Sequence, residues 1–146
     1  MAAIPGIIYP PTLEFDYLVQ RPQQLLKALS GLGVTIYYIE PLTLHSRKVK
    51  AIERYNQHLY VFRGEEPCYP CHIRPVVYYS NPTQLPALGR YNPGLLVFDS
   101  LDAAEDEFAF WEPFYYQAVA SADLVLASSD KLYLRAREIN PATILL

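Results

Sequence analysis

Short apolar segments alternate with helical segments along the whole chain, and this alternation restricts the fold more than any other feature. It is clearest at the start, where the apolar run Ile7–Tyr9 is closed by prolines and Pro22–Leu32 has the period of an amphipathic helix. Gly33 suits the left-handed backbone conformation that commonly ends an α-helix. The residues of Val34–Ile39 are mainly β-branched and aromatic, which favours a strand. The order strand, helix, tight turn and strand predicts a βαβ unit with parallel strands.

The same alternation continues to the last residue. Further strands are predicted at His58–Phe62, Val76–Tyr79, Leu95–Asp99, Leu124–Ala127 and Thr143–Leu146. Further helices are predicted at Pro82–Leu88, Trp111–Ser121 and Asp130–Ile139. Several strands are apolar on both faces, which indicates a parallel sheet covered by helices on each side. The sequence therefore predicts an α/β protein, a three-layer Rossmann-like domain with a mostly parallel sheet.

Two helices carry specific predictions about the core. In the first helix the apolar stripe is formed by Leu25, Leu26, Leu29 and Leu32. In the helix Trp111–Ser121 the predicted buried side consists of Phe114, Tyr115, Ala118 and Val119. These side chains are expected to pack against the sheet.

Composition and charge exclude several classes of protein. The 146 residues are 51% hydrophobic and 18% charged, which fits one globular domain over residues 1–146. The formal net charge of -3 argues against binding to nucleic acid, which needs a basic surface. The sequence has no secretory leader and no apolar stretch near the ~20 residues of a membrane span. We therefore expect a cytoplasmic protein.

In parallel α/β sheets, ligands bind beyond the carboxyl ends of the strands. The segment Thr12–Gln20 after the first strand is therefore one place for a ligand. The candidate ligand contacts are polar residues that follow strands or begin helices, namely Gln20, Arg21, Ser80, Asn81, Asp99, Asp102, Ser128 and Ser129. These segments contain neither a G-x-G-x-x-G fingerprint nor a Walker lysine. Dehydrogenase and P-loop functions are accordingly disfavoured.

Each candidate also has a structural interpretation. Gln20 and Arg21 lie at a helix start, where free N–H groups favour an anion, but Arg21 could instead pair with Glu14 or Asp16. Asp99 and Asp102 could converge on one hydroxyl or on a metal, or could cap the following turn. Ser128 and Ser129 suit the cap of the last helix, which is compatible with anion binding.

Two further motifs invite a functional interpretation. Cys68–His72 reads C-x-x-C-H, which matches a haem attachment pattern, a redox pair or half a zinc site. Pro70 and the small number of other Cys and His residues favour a simple loop pair, so no metal site is predicted. The aromatic segment Phe108–Tyr116 could stack on a sugar, pack in the core or contact another domain.

Three segments, taken in order, resemble bacterial GT-B glycosyltransferases of the retaining, group 1-like type. The first is Gln20–Leu25, which is similar to the Gln-Arg-Pro-Gln-His-Leu opening of the family, with Gln24 in place of the usual His. The second is Val76–Asp102, which resembles the family's Tyr-x-x-Pro and Val-Tyr-Asp-x-x-Asp stretch. The third is Ala122–Ser129, which looks like the family's Ala-Asp-Leu-Val-x-x-x-Ser segment.

The resemblance implies the acceptor-side, N-terminal half of a two-domain hexosyltransferase. The donor, a nucleotide-sugar co-substrate, would be held mainly by a C-terminal domain that follows Leu146, with no cofactor and no catalytic metal. The acceptor would be a polysaccharide or glycolipid precursor, and a peripheral membrane attachment of the longer protein stays open. Residues 1–146 alone are then expected to transfer no sugar. The alternatives are a non-catalytic Rossmann-like ligand-binding module, or a redox or metal protein using Cys68 and Cys71.

Overall fold

The computed structural model describes residues 5–43, 50–67 and 74–146. The fold is α/β and Rossmann-like, with eight strands in a mostly parallel sheet, as the sequence predicts. Two compact units make up the chain, Met1–Val76 and Val77–Leu146. The motif Cys68–His72 lies outside the described residues, so its predicted loop pair stays a prediction.

The first unit is a βαβ arrangement extended by a hairpin. Its elements are β1 (Ile7–Tyr9), α1 (Arg21–Gly31), β2 (Ile36–Glu40), β3 (Ile52–Arg54) and β4 (Leu59–Arg63). The strand order is β3-β4-β2-β1, with β1–β2 and β2–β4 parallel and β3–β4 antiparallel. The parallel register ends with Glu40 of β2 opposite Arg63 of β4.

The crossover from α1 into β2 follows from local sequence. Pro22 lies in the first turn of α1, where a missing N–H costs nothing. Gly33 has a φ of +91°, a left-handed conformation that glycine adopts without steric cost. This turn directs the chain into β2, whose central residues Tyr38 and Ile39 are buried. The predicted strand–helix–turn–strand unit is confirmed.

The second unit repeats the alternation of strands and helices. Its strands are β5 (Val76–Tyr79), β6 (Leu95–Ser100), β7 (Leu124–Ala127) and β8 (Thr143–Leu145), in the order β5-β6-β7-β8. Its helices are two 3-10 helices (Pro82–Tyr91 and Asp106–Trp111), α2 (Glu112–Ser121) and α3 (Asp130–Ile139). The β6–β7 and β7–β8 pairs are parallel.

Two predicted core positions are wrong. Leu32 is 82% exposed because α1 ends at Gly31 and Leu32 lies beyond it as the capping residue. Phe114 is 38% exposed, whereas Tyr115, Ala118 and Val119 are buried. The buried face of α2 is therefore narrower than predicted, because Phe114 lies about 100° round the helix from Tyr115.

Candidate functional site

The first unit has a cavity of about 390 Å3 at the carboxyl end of β2, lined by Glu14, Asp16, Tyr17 and Glu40. Glu40 is the last residue of β2, and the other three belong to the loop between β1 and α1. Ligands of parallel α/β proteins bind at this end of the strands. The cavity is therefore the candidate site of the first unit.

Hydrogen bonds fix the loop that forms one wall of this cavity. The backbone N–H of Phe15 donates to Oε1 of Glu40 at 2.9 Å. The hydroxyl of Tyr38 donates to the carbonyl of Leu13 at 2.9 Å. Burial above all, and then the neighbouring charges of Tyr9 and Glu40, raise the pKa of Tyr38, so its hydroxyl keeps its proton. Two side chains of β2, those of Tyr38 and Glu40, thus hold the backbone of the loop by hydrogen bonds.

Aromatic packing anchors the same loop. The Phe15 ring is 2% exposed and meets the rings of Tyr38 and Tyr55 edge-on, with centroids 5.1 Å apart in each pair. The ammonium group of Lys27 on α1 lies over the Phe15 ring, 4.6 Å from its centroid. Tyr17, by contrast, is 64% exposed at the cavity. The loop therefore exposes the ring of Tyr17, whereas the ring of Phe15 is packed in the core.

A buried ion pair holds the acidic side chain of Glu40. Nε of Arg63 lies 3.0 Å from Oε2 of Glu40, and both side chains are almost fully buried. The second contact of Arg63 is a 2.7 Å bond from Nη1 to Oε2 of Glu53 on β3. Burial lowers the pKa of Arg63, but the hydrogen bond to Glu53 and the charges of both glutamates outweigh it, so the pKa is raised. Arg63 stays charged and oriented between two carboxylates.

The start of α1 carries the predicted residues Gln20 and Arg21. Gln20 is the N-cap, and its N–H donates to Oε1 of Gln23 at 3.0 Å. Nε2 of the fully buried Gln23 donates to the carbonyl of Glu14 at 3.3 Å. Gln23 therefore connects the helix start to the cavity loop, while anion binding by Gln20 and Arg21 stays a prediction.

In the second unit, the two aspartates of the predicted site have different environments. Asp99 is fully buried near the end of β6, where its carboxylate accepts a hydrogen bond from the hydroxyl of Tyr78. Asp102 is exposed beyond β6. Partial desolvation, and then the nearby charge of Glu107, raise the pKa of Asp102. A ligand at this edge would meet Asp102 before Asp99.

The structure brings the serine pair of the predicted site next to the end of β6. The N–H of Ser128 donates to the carbonyl of Ser100 at 3.2 Å, and its hydroxyl donates to the carbonyl of Leu101 at 2.7 Å. Ser129 caps α3, because its hydroxyl accepts the N–H of Leu132 at 3.3 Å. The predicted cap is confirmed. The register of β6 and β7 thus places Ser128 beside the segment that leads to Asp102.

Ser80 and Asn81 follow β5, and each has a structural role. Ser80 is buried. Oδ1 of Asn81 accepts the N–H of Thr83 at 3.0 Å and its hydroxyl at 2.7 Å, which caps the 3-10 helix Pro82–Tyr91. Their role in ligand binding stays a prediction.

The aromatic segment of the second unit is split between core and surface. Trp111 is buried and its ring packs on Phe108 with centroids 4.4 Å apart. Phe110 and Tyr116 are each 62% exposed. The segment thus presents aromatic faces to solvent, as the sugar-stacking interpretation requires, while Trp111 serves the core.

Sequence reasoning identified the loop that forms one wall of this cavity, but not the strand-end residues. The segment Thr12–Gln20 is among the predicted places for a ligand, and Glu14 and Asp16 were considered as partners of Arg21. Glu40 and Arg63 were not singled out. One signal was available for Glu40, an acidic residue that ends an apolar strand just before Pro41. Its partner on β4 could be identified only from the strand register.

The described residues contain no group of three or more His, Cys, Asp or Glu side chains arranged to hold a metal ion. Among the helices of residues 5–43, 50–67 and 74–146, none has the length and apolar character needed to cross a bilayer.

The fold defines a Rossmann-like α/β domain. A solved chain described as sucrose-phosphate synthase from Thermosynechococcus elongatus shares this fold, with a TM-score of 0.64 and 15% sequence identity. The match covers 97% of this chain and 87% of that one. No protein-family model matches the sequence, and no curated protein does. The likeness therefore concerns the fold, which is glycosyltransferase-like.

Proposed function

We propose that this chain is the acceptor-side domain of a glycosyltransferase that moves a hexose from a nucleotide-sugar to a polysaccharide or glycolipid precursor. The observation that carries the proposal is the strand-end cavity of the first unit, in a domain with a glycosyltransferase-like fold. Its lining combines three carboxylates with one exposed aromatic ring, Tyr17.

This lining suits a saccharide. Carboxylate oxygens accept hydrogen bonds from sugar hydroxyls, and these charge-assisted bonds are stronger than neutral ones. An aromatic face packs against the apolar C–H face of a pyranose ring. A pocket of a few hundred Å3 with a few convergent polar groups is typical of small-ligand sites. The cavity at Glu14, Asp16, Tyr17 and Glu40 meets each requirement.

Catalysis in this proposal needs a second domain. The donor phosphates would be held there, and the reaction would be accelerated by positioning and charge stabilisation across the cleft. Arg21, Asp99 and Asp102 are proposed as further contacts to the acceptor or the diphosphate. Residues 1–146 alone are then expected to bind a saccharide and to transfer none.

The test is to titrate the 146-residue chain with saccharides and with a nucleotide-sugar and to detect binding through changes in the backbone amide NMR shifts. We expect millimolar binding of a methyl hexoside with shifts at Asp16 and Tyr17, and no sugar transfer in a radiolabel assay. Tyr17→Ala should abolish the shifts, because the stacking face is lost.

The matched control is Tyr116→Ala, since Tyr116 is exposed to nearly the same extent as Tyr17 but lies on α2. Binding lost with Tyr116→Ala and kept with Tyr17→Ala would move the saccharide to the aromatic segment and overturn the proposed cavity. Tighter binding of the nucleotide-sugar than of any saccharide at the cavity would overturn the acceptor-side assignment.

A further inference from the structure

The cavity of the first unit has one sign of charge. Three of its four described lining residues, Glu14, Asp16 and Glu40, are carboxylates, and Lys, Arg and His do not occur among them. A cleft lined by one sign of charge concentrates ligands of the opposite sign and repels those of the same sign. The charge of the ligand is therefore constrained as well as its size.

Arg63, the cation that pairs with Glu40, does not change this. Arg63 directs Nε to Glu40 and Nη1 to Glu53, and Nη1 also donates to the carbonyl of Lys50 at 3.4 Å. Its side chain is 3% exposed. The guanidinium of Arg63 therefore neutralises Glu40 and Glu53 and is not placed to form a bidentate hydrogen bond with a phosphate.

Glu40 also belongs to the lining of a second, smaller cavity. This cavity has a volume of about 200 Å3, and its lining includes Glu40, Glu65 and Glu66 with apolar residues such as Leu42. Carboxylates therefore line both cavities.

We infer that the acceptor taken by the Glu14–Glu40 cavity is an uncharged or ammonium-bearing saccharide, and that phosphorylated saccharides are excluded from it. This rests on the proposed function, whose acceptor class it specifies. The carboxylates of Glu14 and Asp16 accept hydrogen bonds from hydroxyl or ammonium groups. A phosphate dianion in the same volume would face both negative charges, with no Lys, Arg or His among the described lining residues to bind it.

The test is NMR titration of the 146-residue chain with methyl glucoside, glucosamine and glucose 6-phosphate at low salt. We expect glucosamine to bind at least as tightly as the glucoside, and glucose 6-phosphate to bind about tenfold more weakly or not at all. The difference should shrink at ~0.5 M salt, because salt screens the charges at a partly open cavity.

Asp16→Asn should reduce the difference between the glucoside and the phosphate, whereas Glu138→Gln should leave it unchanged. The two variants change the net charge equally, but Glu138 is an exposed residue of α3. Tighter binding of glucose 6-phosphate at Asp16 and Tyr17 would overturn the inference and leave the proposed function standing. Absence of binding by all three sugars would instead count against the proposed function.

Discussion

Glu40 and Arg63 face each other in register at the ends of β2 and β4, and their side chains form an ion pair of 3.0 Å. Both residues are buried, at 4% and 5% exposure. The other carboxylate oxygen of Glu40 accepts the N–H of Phe15, which belongs to the loop after β1. One carboxylate therefore links two parallel strands and the wall of the candidate cavity.

Breaking this pair should be costly. Arg63→Gln leaves Glu40 buried without its cation, and loss of one partner of a buried pair costs about 3–5 kcal/mol. We expect urea unfolding to show a loss of this size in the free energy of unfolding. The double variant Glu40→Gln with Arg63→Gln should recover part of it, because no unpaired charge is left buried.

The control for the ion pair is Lys131→Gln. Lys131 pairs with Glu105 at 2.8 Å, but both side chains are more than half exposed, so solvent screens the attraction. We expect no measurable change in stability. A loss below about 1 kcal/mol for Arg63→Gln would show that the pair at β2 and β4 is solvated and would contradict the structural account.

The buried carboxylate of Asp99 provides a second prediction. Tyr78→Phe removes the hydroxyl that donates to it, and loss of a partner from a buried polar group costs about 1–3 kcal/mol. Thermal or urea unfolding should show a loss in that range. Tyr133→Phe is the matched control, because its hydroxyl accepts only an exposed bond from Arg137. Equal effects of the two variants would show that the Asp99 contact is not a buried one.

The sequence predicts those parts of the fold in which pattern and packing coincide. β5, β7 and α3 have the predicted bounds, because each is a complete apolar run or is closed by its own cap, as Ser129 closes α3. β3 could not be predicted. Its three residues Ile52–Arg54 are all exposed, so its place in the sheet depends on pairing with β4 and on no pattern of its own.

The role of Glu40 in the candidate cavity could not be predicted from the sequence, for a related reason. Glu40 directly follows the predicted strand Val34–Ile39, but the sequence gives no sign of what its carboxylate contacts. Its importance comes from a partner 23 positions away, Arg63, and from the N–H of Phe15, 25 positions away. Such contacts depend on strand register, which periodicity does not specify.

Asp102 makes stability depend on pH in a defined direction. Its pKa in the folded chain is above the usual value, first through desolvation and then through Glu107. The folded state therefore holds this proton more tightly than the unfolded state, and stability falls as the pH rises from the unfolded pKa through the folded one. Asp102→Asn is always neutral, so its unfolding free energy relative to the parent chain should rise from pH 3 to pH 7.

The size of that rise is limited because Asp102 is exposed, and we expect at most about 0.5 kcal/mol. Unfolding curves at both pH values measure it. A fall in relative stability of Asp102→Asn on going to pH 7 would contradict the assigned direction.

The two glycines around the end of α1 should respond to alanine with opposite signs. Gly33 has a φ of +91°, so Gly33→Ala forces a side chain into the left-handed region and should cost about 1 kcal/mol or more. Gly31 is the last helical residue, and a methyl group added there meets no atom within 4 Å. Gly31→Ala should therefore stabilise the chain by about 0.5–1 kcal/mol through reduced freedom of the unfolded state. Thermal unfolding of the two variants provides the measurement. A gain at Gly33 would mean that the α1–β2 turn does not have the left-handed backbone on which the βαβ crossover depends.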